Sequence, residues 1–411
     1  MAKNRKNHGV KFWFDEHTMH FEALRAVEAA PFGGSEINEV TTAISQIKNG
    51  SAGSWYDAFY RMAQIVEGKA LGYEDRVSKG YAYLRAHTYY RSAEFFLHGD
   101  DHRRPDTWER QVLVFEKGLE YLKVDRHQLE VPYENAVLRA HYYPCKEDDG
   151  TKPLIVACNG YDGTSEELYF SIVVPARERG YSVLIYEGPG QGAVIRKHGM
   201  VFTHKWEKPT RAVLDYFEEH FEKPEKIVLF GVSLGALLGM RAAAKIKRIN
   251  GFIAMDAWFD AGETSSQHAP GITKYLLKKG CRGVVNWVMR NFVMKKDMTV
   301  DWAVNHGQWV LGSKDESGVL TDFSPYHLRD VIHEVKSYVL LLAAENDHFF
   351  AASDQLGKTQ RGLVNAKSVT VNVFKNGEGG EEHCHTGAVH QTVAVIFEWL
   401  NHVFVKKDLK N

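Results

Sequence analysis

Gly231-Val232-Ser233-Leu234-Gly235 follows the apolar run Lys226-Ile-Val-Leu-Phe230 and precedes Ala236-Leu-Leu-Gly-Met-Arg-Ala-Ala. A strand-like run, a serine flanked by glycines two residues away on each side, and an alanine-rich helical run place that serine on a tight strand-to-helix corner. The glycines let the backbone turn sharply without a Cβ clash. The hydroxyl of Ser233 is then exposed above a helix N-terminus, where a nucleophile belongs. The five-residue string recurs by chance, and the strand and helix around it supply its meaning.

Working outward from this corner, compact apolar runs recur at Pro153–Cys158, Tyr181–Tyr186, Gly251–Met255, Ser337–Leu342 and Ser368–Phe374. Helical periodicity fills most gaps, as in Glu167–Arg179, Pro209–Phe221 and Leu234–Lys245. Strands buried on both faces with helical crossovers predict an α/β fold with a mainly parallel sheet. His127–Tyr133 and Ala136–Tyr143, paired around Glu134-Asn135, predict an antiparallel opening to that sheet. Between about 260 and 335 no core strand is evident, and Trp287, Trp302 and Trp309 fall there, so this interval reads as a lid insertion. Residues 1–126 read as an N-terminal helical, cap-forming domain and 127–411 as the catalytic domain. In the former, Ser54 is a candidate helix cap. Tyr89, Tyr90, Phe95 and Phe96 are read mainly as packing residues, with a pocket lining as the sharper alternative.

Composition narrows the function classes. The 411 residues are 44% hydrophobic and carry a formal charge of -1, so bulk electrostatics argues for neither nucleic acid nor an anionic membrane as partner. Cys145, Cys158, Cys281 and Cys384 form no C-x-x-C pair and suit a reduced compartment. The polar start Met1–Gly9 lacks a following apolar stretch, and no run reaches the roughly 20 apolar residues of a membrane span. A cytoplasmic protein acting on a small molecule is expected, with a homodimer as one option for the N-terminal helices.

A serine hydroxyl needs a base, and the base an orienting carboxylate. With an elbow of this kind they follow in the order acid, then histidine. Beyond the Ser337–Leu342 run lie Glu345 and Asp347; Asp347 is favoured, because a few turn residues let its carboxylate reach back over the sheet edge. Its rival role is to cap the helical run starting at Ala351. Beyond the last strand lie His383, the first choice as base, and His385, the alternate. Glu381, Glu382, Cys384 and His390 cluster with them, but neither H-E-x-x-H nor C-x-x-C occurs and no metal is expected. The oxyanion of acyl transfer needs N–H donors: the Leu234 amide and, from Asn159-Gly-Tyr-Asp-Gly-Thr164, the Tyr161 amide. Glu187-Gly-Pro-Gly-Gln-Gly-Ala193 fits a dinucleotide template, but Pro189 stiffens the turn and no clear helix is expected until well beyond Lys197. It reads as a structural turn, and no nucleotide cofactor is expected.

Together these strings resemble the α/β-hydrolase superfamily over about 127–405. More narrowly the chain is similar to the group containing 2,6-dihydroxypseudooxynicotine hydrolase and the fermentation-respiration switch esterase-like proteins. The resemblance is carried by the helical extension, Asn159–Glu167, Glu187–Gly192, Gly231–Gly235 and Glu382-His383-Cys384. It implies a Ser233–His383–Asp347 triad with an oxyanion hole from Tyr161 and Leu234. It also implies an extra active-site carboxylate, for which Asp256, Asp260 and Glu263 are candidates. The group it resembles includes carbon–carbon hydrolases of aryl ketones or β-diketone-like compounds as well as esterases. The aromatic-rich N-terminal half and the tryptophans of the lid suggest an enclosed apolar pocket for a small aromatic or polyketide-like substrate, and hydrolysis of a carbon–carbon bond beside a ketone is the leading expectation. Carboxylic ester hydrolysis, a prolyl-oligopeptidase-like peptidase and a non-catalytic binding protein are the alternatives.

Overall fold

The computed structural model describes residues 13–148, 150–265 and 271–405. Eight strands are formed: β1 His127–Tyr133, β2 Ala136–Tyr143, β3 Leu154–Cys158, β4 Val183–Tyr186, β5 Ile227–Val232, β6 Ile249–Met255, β7 Tyr338–Ala344 and β8 Ser368–Phe374. They build one sheet in the order β1-β2-β4-β3-β5-β6-β7-β8. β1 pairs antiparallel with β2, and β2 with β4; every other pairing is parallel. The central β3 and β4 are buried at every residue because apolar cores cover both faces of the sheet, whereas edge strand β8 is exposed or half-buried until Phe374. Ser233 and the turn carrying Asp347 therefore lie past the carboxyl ends of β5 and β7, where sheets of this type place their ligand sites.

Five helices precede the sheet: α1 His17–Glu28, α2 Ile37–Ile44, α3 Ala52–Gly72, α4 Arg76–Glu94 and α5 Arg103–Leu122. They share an aromatic core around Trp55, Phe59 and Tyr89, which Trp302 of the 260–335 interval also enters. The cap of α3 is Ser51, whose side chain accepts from the Ser54 N–H at 3.3 Å; Ser54 sits inside the helix and does not begin it. Tyr89, Tyr90, Phe95 and Phe96 belong to this core, with the Tyr89 and Tyr90 hydroxyls donating to Glu39 and Glu67. The part of α4 facing the central cavity carries His87, Thr88, Arg91 and Ser92 instead. Among the described residues between β6 and β7 there are helices and turns and one isolated bridge, Asp260 to His327.

One expectation fails outright. A helix spans Gly192–His198, directly after the glycine turn and not well beyond Lys197. Its start is served from within the chain: the Glu187 carboxylate accepts the N–H groups of Ala193 (2.8 Å) and Ser165 (3.0 Å). That carboxylate stands where a dinucleotide fold would bring phosphate to a helix N-terminus. No described helix is long and apolar enough to cross a membrane.

Candidate active site

The elbow is sterically enforced. A Cβ at position 231 would lie 2.2 Å from the Gly235 carbonyl oxygen, and one at 235 would lie 2.5 Å from the Asn159 carbonyl oxygen. Ser233 adopts φ 54° and ψ -120°, a conformation costing a side-chain-bearing residue about 1–3 kcal/mol. Its N–H donates to the Met255 carbonyl at 2.8 Å, which ties the corner to the end of β6. Of six described non-glycine residues at positive φ, four are Ser233, Asp256, Cys384 and His385. Backbone strain is thus concentrated around one spot.

At that spot the Ser233 hydroxyl donates to His383 Nε2 at 2.8 Å, and His383 Nδ1–H donates to Asp347 Oδ2 at 2.6 Å. The other Asp347 oxygen accepts the Phe349 and Phe350 amides, which holds the carboxylate in its turn. A second carboxylate is present: Asp256 Oδ2 lies 3.1 Å from the same Nδ1 and accepts the Cys384 N–H. Burial alone would lower the His383 pKa, but the Asp347 carboxylate, helped by Asp256, holds it well above the ordinary 6.5.

His385 does not reach Ser233. Its ring is fully buried against Phe374 with centroids 4.0 Å apart, and its Nε2 lies 3.6 Å from Asp256 Oδ1. Burial pushes its pKa down to about 4, so it stands as a neutral ring behind Asp256. Asp260 and Glu263 are not brought to the cavity either. Asp260 accepts the Glu263 N–H at the start of the Ala261–Ser265 helix and pairs with Arg329, while Glu263 pairs with Lys358 at 2.7 Å. Of the three extra-carboxylate candidates, only Asp256 meets the histidine.

The loop after β3 lies across from the serine. A Cβ on Gly160 would approach Ser233 Cβ to 3.0 Å and the Leu234 nitrogen to 3.3 Å, so only glycine lets this loop come so near. The Tyr161 and Leu234 amides have no acceptor among the described residues. Four side chains from outside hold the loop. Gln191, from the Glu187–Ala193 turn, donates to the Gly160 carbonyl at 3.0 Å. His306, kept neutral by burial with a pKa lowered to about 3, donates Nε2–H to the Tyr161 carbonyl at 3.1 Å. Asp162 is gripped by Arg25 at 2.8 Å and Arg91 at 2.7 Å from α1 and α4. These holding residues escape sequence reasoning, except that Asp162 and Gln191 sit inside the two glycine-rich strings.

Among the described residues, two groups of side chains have cation-binding atoms within 4.8 Å of one another: Asp256, His383 and Cys384, and His17, His348 and Glu382. In the first, both His383 nitrogens already face Ser233 and Asp347, so an ion there would compete with that chain of bonds. A cavity of about 260 Å³ opens onto Ser233 and His383, walled by Trp302 and Phe323 from the 260–335 interval and by α1 and α4. Trp287 is 57% exposed and takes no part, and Trp309 packs against Arg104 and Arg196.

Comparison with known proteins follows the same lines. Residues 155–393 match the model of the alpha/beta hydrolase family. The hydrolase acrC of Aspergillus aculeatus is 32% identical over 413 residues, spanning 94% of this chain and 96% of its own. The 20-hydroxy-prefusarin hydrolase FUS2 of Gibberella moniliformis is 30% identical, spanning 96% and 99%. The crystal structure of 2,6-dihydroxy-pseudo-oxynicotine hydrolase matches with a TM-score of 0.70 at 19% identity, over 92% of this chain and 96% of that one. The last likeness includes the N-terminal helices and bears on the fold.

Proposed function

The chain belongs to the alpha/beta hydrolase family and is a hydrolase, and from that premise we propose that it works through a Ser233–His383–Asp347 triad and an acyl-enzyme. The observation that carries the reading is the continuous chain of bonds from Ser233 Oγ through His383 to Asp347. His383 takes the serine proton as Oγ attacks a substrate carbonyl. The Tyr161 and Leu234 amides stabilise the oxyanion, and His383 returns the proton to the leaving group. Water, activated by the same imidazole, then releases a carboxylic acid. Asp256 is a positioning carboxylate that supports the imidazolium.

For the bond cleaved we favour carbon–carbon hydrolysis next to a ketone in a small aromatic or polyketide-like substrate. Expulsion of a carbanion or enol demands that a proton be at hand as the bond breaks, and two carboxylates beside one nitrogen keep the imidazolium populated to deliver it. FUS2 is named for one compound, which supports a small molecule over a polypeptide. A cavity below the roughly 300–1,000 Å³ of drug-sized pockets supports the same choice. Carboxylic ester hydrolysis uses the same engine and is the second reading. Turnover of aryl 1,3-diketones, aryl esters and short peptides separates them: diketone cleavage is expected, and strong ester turnover with none on diketones would overturn the carbon–carbon assignment.

A further inference from the structure

From Thr264 to Lys296 the chain holds no aspartate or glutamate, while seven lysines and arginines fall between Lys274 and Lys296. The whole-chain charge of -1 averages this asymmetry away. Of the two arginines, Arg290 meets Glu316 and Arg282 donates to Ser317 and Thr321. The five lysines, Lys274, Lys278, Lys279, Lys295 and Lys296, are all exposed. Among the described residues the lysines that pair with acid are Lys223, Lys245 and Lys358, none of them in this stretch. A field of one sign therefore stands on this part of the surface.

The same stretch exposes large apolar side chains. It is a hairpin of two short helices, Gly271–Lys278 and Arg282–Val288, joined by three residues and continued by a π-helical turn at Met289–Val293. Val285 and Met289 are buried in the core on one side of the sheet, and Leu276, Leu277 and Val293 pack against that core. Both helices thus turn their inner faces to the same body. On the outer faces Ile272, Tyr275, Val284, Trp287 and Phe292 are 48–57% exposed. Ile272 and Tyr275 are neighbours three residues apart on one helix, as are Val284 and Trp287 on the other. Trp287 packs edge-on against Phe292, with centroids 5.1 Å apart. Large apolar side chains gathered outside the core and rimmed by lysine mark an interaction site.

We propose that this hairpin docks the protein on the surface of an anionic lipid bilayer, with Trp287, Phe292 and their apolar neighbours at the boundary of headgroups and acyl chains and the lysines among the headgroups. Charge complementarity selects the occupant. A second copy of the chain, related by a two-fold axis, would set like charges against like. A nucleic-acid backbone would answer the lysines but leave Ile272 and Val284 without an apolar partner. A bilayer surface answers both at once: basic amphipathic helices bind there through apolar area and anionic lipid together, and tryptophan favours that depth. The hairpin also walls the cavity at Ser233, which Met289 lines two residues from Trp287. Docking holds that wall against the layer into which apolar compounds partition; this consequence, unlike the docking itself, rests on the cavity being the active site.

The test is sedimentation of the full chain with sucrose-loaded vesicles of phosphatidylcholine alone, or with about 30% phosphatidylserine, at about 0.1 M and about 0.5 M NaCl. Binding is expected to be about tenfold or more tighter on the anionic vesicles and to fall at the higher salt, where charge is screened over a shorter distance. Lys278→Ala with Lys279→Ala should weaken it by about ten- to thirtyfold, since a lysine near such a surface contributes about fivefold. Trp287→Ser should weaken it by about fivefold or more at either salt, which attachment by charge alone would not show. All three side chains are exposed, so the variants are expected to keep the wild-type Tm, and Lys295→Ala with Lys296→Ala is a second pair read in the same way. No sedimentation with anionic vesicles, or binding that neither the lysine pairs nor Trp287→Ser weaken, overturns the proposal. So does a dimer in analytical ultracentrifugation that Trp287→Ser dissociates in place of vesicle binding, or tighter binding of a duplex oligonucleotide than of the anionic vesicles. Sedimentation needs no turnover, so failure of the Ser233 mechanism is distinguishable from failure of this proposal.

Discussion

His383 carries two carboxylates on one nitrogen, and this decides how the proposed base behaves with pH. The reaction needs a neutral imidazole, whereas Asp347 and Asp256 together favour the imidazolium. The rate is therefore expected to rise with pH along a limb centred above the ordinary 6.5 of histidine. In a pH profile of kcat/KM, Asp256→Asn should move that limb downward; an unmoved limb would limit Asp256 to a structural role. A triad with one carboxylate typically loses about 10⁴-fold in kcat when it becomes an amide. With Asp256 3.1 Å away, Asp347→Asn is expected to lose only about 10²–10³-fold. The double substitution should lose the remainder, and single-turnover kinetics on an aryl ester would measure all three.

At the scale of elements, the loop after β3 depends on parts of the chain outside the sheet. Arg25 and Arg91 reach Asp162 from helices 137 and 71 residues earlier, and His306 reaches Tyr161 from 145 residues later. Removal of one oxyanion donor typically costs roughly 10²–10³-fold in kcat. Arg91→Ala leaves the donor in place but frees its loop, so a loss of about 10-fold in kcat with a smaller change in KM is expected. Arg91→Lys, which keeps the charge but not the bidentate grip, should fall between. These contacts were beyond sequence reasoning because nothing local marks which of many arginines crosses such distances. The positions of Asp347 and His383 were legible for the opposite reason: each follows a strand that apolar runs identify, in a chain order set by sheet topology. Asp256 emerged only as one of three carboxylates, since its positive φ of 65° has no signature in a non-glycine residue. The Gly192–His198 helix was hidden by the preceding Pro189 and glycines, which read as a turn although Glu187 provides its N-terminal acceptor.

For the whole molecule, the N-terminal helices and the interval between β6 and β7 meet over the cavity. Trp302 stacks on Phe95 at 4.7 Å between centroids, and its indole N–H donates to the Phe95 carbonyl at 3.1 Å. Trp302→Ala should therefore destabilise the fold by about 3–5 kcal/mol in urea unfolding and raise KM more than it lowers kcat. The Glu28 carboxyl of α1, whose pKa burial raises, gives a second global prediction. Folding raises the Glu28 pKa to about 8, so its contribution to stability is present below the ordinary 4.5 and is lost as pH rises through about 8. Glu28→Gln is then expected to raise Tm relative to wild type near pH 9 and to leave it nearly unchanged near pH 4. All of these effects converge on a single reacting atom. The most direct measurement is intact and peptide mass spectrometry of the folded chain after treatment with a fluorophosphonate. One adduct on Ser233, absent from Ser233→Ala and suppressed in His383→Ala but not to the same degree in His385→Ala, is the predicted result. No adduct on folded wild-type protein, or an adduct on another residue, would contradict the proposed mechanism.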